Sequence, residues 1–105
     1  SVAGTLVRLA KFEERLFGRT GAYTSDPRAL SGLAIPPTVT VTIELATSMG
    51  ANPEPVFLAT ATDSRYPGYS CVLASGWARF PSGATTLAEK KHAGGGSTAV
   101  CDTFK

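Results

Sequence analysis

Apolar residues open the chain at Val2, Leu6, Leu9, Phe12 and Leu16, with steps of 4, 3, 3 and 4. Those steps keep one face of a helix with 3.6 residues per turn, so an amphipathic helix is predicted over residues 1–17. Val7 and Phe17 widen the stripe, which must then pack on something broad. Arg8, Lys11, Glu14 and Arg15 fall mostly off it. Glu14 is expected to offset the like charges of Lys11 and Arg15, which sit four residues apart. Gly18 and Gly21 supply the stop, since glycine enters the left-handed conformation at no steric cost. No capping side chain is expected at the start, as though the helix began further upstream.

Residues 18–37 break into turns. Asp26-Pro27 suggests a short helical turn with Asp26 as cap and Pro27 in its first position. Leu30, Leu33 and Ile35 mark this loop as tacked over a core rather than free. Residues 38–46 (TVTVTIELA) then alternate strictly, with Val39, Val41, Ile43 and Leu45 on one face. Alternation with period two is the signature of a half-buried strand. A second strand is predicted at 56–62 (VFLATAT), antiparallel because the connection is too short for a crossover. A third follows at 69–74 (YSCVLA), and 76–80 (GWARF) reads as a fourth or as its bulged continuation. The predicted class is α+β: an N-terminal helix on a three- or four-stranded antiparallel meander at 38–80, closed by a C-terminal loop.

The chain of 105 residues has room for one domain. Its 43% hydrophobic and 17% charged residues are a globular composition and exclude a disordered one. A net charge of +2 does not by itself name a polyanion or a membrane as partner. Unbroken apolar runs are about four residues long, far short of the ~20 that cross a bilayer. The sole methionine is Met49, and no signal peptide leads the sequence. A processed piece of a longer protein is the expectation. Cys71 and Cys101 form no metal motif together with the single histidine, His92, so one disulfide is the economical reading. The alternative is a pair of buried free thiols.

No pattern of residues calls for a cofactor, a metal or catalysis. Glu13 and Glu14 point about 100° apart on a helix and read as solvated, not as an acid–base pair. His92 lacks a partner carboxylate or an evident pocket. Gly94-Gly95-Gly96 lacks the Lys-Ser/Thr of a phosphate loop. Tyr66, Tyr69, Trp77 and Phe80 read as cross-strand packing rather than as a stacking platform. Lys90, Lys91 and His92 are candidate phosphate contacts on a loop.

The order of these parts resembles the soluble head of a type IV pilin, with the type II secretion pseudopilins as near relatives. Residues 6–17 (LVRLAKFEERLF) with the following Gly18-Arg19-Thr20-Gly21-Ala22-Tyr23-Thr24 are similar to the family's amphipathic helix leading to a glycine and a Tyr-Thr. Leu30-Ser31-Gly32-Leu33 resembles the short segment that follows. Phe57-Leu58-Ala59-Thr60-Ala61-Thr62 resembles a later strand, and a cysteine on a late strand pairs with one near the C-terminus. The resemblance implies a filament subunit without enzymatic activity, serving adhesion, motility, DNA uptake or secretion. Its precursor would sit in the inner membrane through an apolar helix ahead of Ser1, be trimmed by a prepilin peptidase and become extracellular in the pilus. The implied partners are other pilin subunits, the assembly machinery, and DNA or a surface receptor. The disulfide-bounded interval is 71–101, and its tip around Lys90, Lys91 and His92 is the implied contact surface. A secreted module binding DNA or glycans is the alternative.

Overall fold

The computed structural model describes residues 1–48, 50–76 and 98–102. Helix α1 spans Val2–Thr20. Contrary to expectation it is capped: the Ser1 hydroxyl accepts the Gly4 N–H at 3.0 Å, satisfying one of the donors that a helix start leaves open. The helix also runs through Gly18 instead of ending at Phe17. A glycine inside a helix costs only about 1 kcal/mol relative to alanine. What ends the helix is a left-handed residue, and that is Gly21, with φ +78° and its N–H on the Phe17 carbonyl at 2.7 Å.

Among the described residues four antiparallel strands follow: β1 (Val39–Thr47), β2 (Pro55–Asp63), β3 (Ser70–Ala74) and β4 (Val100–Cys101), side by side in chain order. Of the strand expected at 76–80, residues 77–80 lie outside the described residues. Register puts Ile43, Ala59 and Leu73 in one row, and Val41, Ala61 and Cys71 in the next. This face packs on α1. Val2, Leu6, Leu9 and Ala10 of the helix join Val39, Ile43, Phe57, Ala59, Ala61, Cys71 and Leu73 in one core. Phe12 and Leu16, the last two positions of the predicted stripe, are half-buried against it.

Two departures from simple alternation matter. Leu45 lies on the helix-facing side of β1 yet is 51% exposed. On the opposite face Val56, Leu58, Val72 and Ala74 are buried, so all five residues of β3 are buried. Burial on both faces is the usual meaning of a continuous apolar run such as Val56–Ala59 or Cys71–Ala74.

The loop after α1 is tacked down as its leucines require. Asp26 caps a single 3-10 turn, Pro27–Ala29, by accepting the Arg28 N–H at 3.0 Å. Leu30 is buried, and Leu33 and Ile35 pack on the core. Gly32 turns the chain at φ +89°, where a Cβ would stand 3.5 Å from the Phe12 ring. Among the described residues no helix is long and apolar enough to cross a membrane.

Candidate functional site

The most unusual chemistry lies where the end of α1 meets the loop behind it. Glu13 is fully buried, not solvated as its sequence neighbourhood suggests. One carboxylate oxygen, Oε1, accepts the Thr24 N–H at 2.9 Å; the other, Oε2, has no partner. Burial raises the Glu13 pKa, the Thr24 N–H opposes that, and the nearby Glu14 charge adds to it. The missed signal is spacing. Val2, Leu6, Leu9 and Glu13 are separated by 4, 3 and 4, so Glu13 falls on the buried face and Phe12 at its margin.

Glu14, by contrast, is exposed, and it forms no direct ion pair with Lys11 or Arg15. Its Oε1 accepts the Tyr23 hydroxyl at 2.9 Å. The Tyr23 ring is wedged between Phe17, 4.6 Å away, and the edge-on Phe57 at 5.0 Å. Burial, followed by the bond to Glu14, pushes the Tyr23 pKa up to about 12. Two adjacent glutamates thus hold two adjacent loop residues, Glu13 by backbone and Glu14 by side chain.

A raised folded-state pKa means that the protonated form fits the fold better. Glu13 therefore contributes stability below its ordinary pKa, near 4.5, and loses it as pH rises through the raised value. A glutamine side chain at this position would keep an acceptor for Thr24 without the charge. Denaturant midpoints measured from pH 4.5 to 8 should fall less steeply in Glu13→Gln than in the parent; parallel curves would contradict the assignment. Asp63 works in the opposite direction. It is buried, and the Arg65 side chain, at 2.7 Å, and then the Arg65 N–H hold its carboxyl well below the usual range. Its contribution is present above pH ~4 and is lost in stronger acid.

The predicted disulfide is formed: Cys71 and Cys101 are bonded at 2.05 Å and are direct cross-strand partners on β3 and β4. Asp102 extends this contact. Its N–H donates to the Ser70 carbonyl at 3.0 Å, while its Oδ2 accepts the Ser70 N–H at 3.1 Å. Lys90, Lys91 and His92, the predicted contact residues, lie outside the described residues, as do Trp77 and Phe80. Tyr66 is not strand packing: it is 46% exposed in a turn, with the Arg65 guanidinium 5.4 Å from its ring centre. Tyr69 packs against the core.

Two open clefts run along α1. One of about 470 Å³ lies between Arg15 and Arg19 on the helix and Leu30 and Ser31 on the loop. The other, about 550 Å³, has Val7, Ala10 and Phe57 in its wall and Lys11, Glu14 and Arg15 at its rim. Ser75 also lines the second cleft. Among the described residues no group of His, Cys, Asp and Glu is arranged to hold a metal ion. Comparisons of the chain with protein families, with curated proteins and with solved structures return no match.

Proposed function

We propose that this chain is the head of a filament subunit of the type IV pilin kind. The observation that carries the proposal is the order of its parts. A 19-residue helix comes first and lies on an antiparallel meander, and the last strand is bound to the third by a disulfide. In such a subunit the helix has two tasks. Its buried face fixes the head, and its N-terminal end joins an apolar segment that polymerises, in which the Ser1 hydroxyl gives up the Gly4 N–H to an upstream carbonyl. The disulfide fits a head that works in an oxidising space outside the cytoplasm, where such bonds persist. It ties down a strand only two residues long, which hydrogen bonding alone would hold poorly.

In this reading the partners are further pilin subunits and the assembly machinery, and the head is periplasmic before assembly and extracellular after it. The test is to label filaments sheared from cells that make the complete protein with gold-conjugated antibody against this chain. Label repeating along filaments supports the proposal. Label found only in the soluble secreted fraction overturns it in favour of a free binding module.

A further inference from the structure

Four cations of α1 form a ridge. Arg8, Lys11, Arg15 and Arg19 are all exposed. At about 100° per residue they fall within an arc of about 80°, on the side of the helix turned away from the buried face. Among the described residues the ion pairs are Arg28–Asp26 and Arg65–Asp63, and none involves these four. The carboxylates nearest in sequence are hydrogen-bonded elsewhere, Glu13 to the Thr24 N–H and Glu14 to the Tyr23 hydroxyl, while the Glu14 charge stays beside Lys11 and Arg15. Two of the cations are also pre-ordered. The Arg8 guanidinium donates to the Thr5 hydroxyl at 3.4 Å, and that of Arg15 lies 5.3 Å from the Phe12 ring centre. A chain of net charge +2 thus concentrates four cations on one face of one helix, with the single charge of Glu14 beside them.

We propose that this ridge binds the phosphate backbone of duplex nucleic acid. The inference does not depend on the filament reading. From Arg8 to Arg19 the helix rises about 16 Å, along which one nucleic-acid strand carries about five phosphates. Four cations in a line match a linear array of that charge density. The cleft beside Arg15 and Arg19, with the Ser31 side at its far wall, gives a backbone room to approach both. An anionic membrane fits less well. A helix lying on lipid inserts its apolar face, and here that face is spent on the sheet, with Leu6 and Leu9 fully buried. With no base-reading group identified, binding is sequence-independent and in the 10⁻⁴–10⁻⁶ M range typical of such contacts, to order of magnitude.

Fluorescence anisotropy of a short labelled DNA duplex, titrated with the disulfide-intact chain between 50 and 200 mM salt, tests this. Four neutralised phosphates predict a slope of log affinity against log salt of about −3.6, or on the order of a 100-fold loss across that range. Arg15→Gln with Arg19→Gln should reduce the slope to about −1.8. Both positions are exposed, and circular dichroism checks that the double variant is folded. Lys90→Gln with Lys91→Gln should leave the slope unchanged. Absence of binding at 50 mM salt, an unaltered slope in the arginine variant, or loss of binding on changing Lys90 and Lys91 alone would each overturn the proposal. So would retention by phosphatidylserine vesicles without binding to the duplex.

Discussion

Phe57→Ala is expected to lower stability by about 3–5 kcal/mol, the usual cost of emptying a buried phenylalanine site. A chain of this length is stabilised by roughly 5–15 kcal/mol in total, so the loss is a large share. The position explains the size of the effect. Phe57 is fully buried on β2 in the core beneath α1, and its ring meets the ring of Tyr23 edge to face. Its N–H donates to the Ser75 hydroxyl at 3.0 Å, and its carbonyl accepts the Ser75 N–H at 3.1 Å. The backbone on both sides is thereby fixed, and little collapse into the void is open to it. Removing the ring also frees Tyr23, and with it the loop that Glu13 and Glu14 hold. Thermal unfolding by circular dichroism should show a fall of at least ~12 °C; a fall below ~4 °C would mean that the core is not built around this residue.

Cys71→Ser is expected to cost about 3–4 kcal/mol if the chain-entropy account of a loop of this length holds, with roughly 2–5 kcal/mol as the wider range. The residue is fully buried, so the substitution also leaves a hydroxyl and the Cys101 thiol without the bridge. Among the described residues β4 pairs with the sheet through Cys71–Cys101 and Val72–Val100, with Asp102 on Ser70 beyond. Once the bridge is broken, the strand keeps that short pairing and the packing of Ala99 on the core. Comparison of melting temperatures for the parent, the reduced parent and the variant checks this, and the latter two should fall together. A melting temperature unmoved by reduction would remove the disulfide from the account of stability. In cells that assemble the complete protein, the variant should also give fewer filaments.

Much of this fold is legible in the sequence, for identifiable reasons. Thr38 to Ala46 alternates so strictly that no helix could bury its valines and Ile43 together, and β1 starts and ends within one residue of the predicted bounds. Asp26-Pro27 specifies its turn locally, since the cap and the fixed proline φ are neighbours in the chain. Other features stay hidden because tertiary structure decides them. Glu13 carries a residue type that argues for solvent, and only its place in the 4-3-4 spacing argues for burial. Glu14 has Lys11 and Arg15 on its own helix, yet Tyr23, nine residues on, takes it because aromatic packing brings that hydroxyl to hand. A strand of two residues has no period to detect, so β4 is findable only through the cysteine that anchors it. The basic ridge is visible in the sequence as charge, with Glu14 as the expected ion-pair partner; the structure turns that carboxylate to Tyr23 while leaving its charge alongside.

The central claim is that α1 is the lower part of a longer, membrane-derived helix that carries this disulfide-locked head into a filament. Intact mass and N-terminal sequence of the protein purified from the cells that make it test this most directly. The account predicts a mature chain with about 20 predominantly apolar residues joined ahead of Ser1. A mature chain that begins at or near Ser1, from a gene encoding no apolar segment before it, would contradict the account.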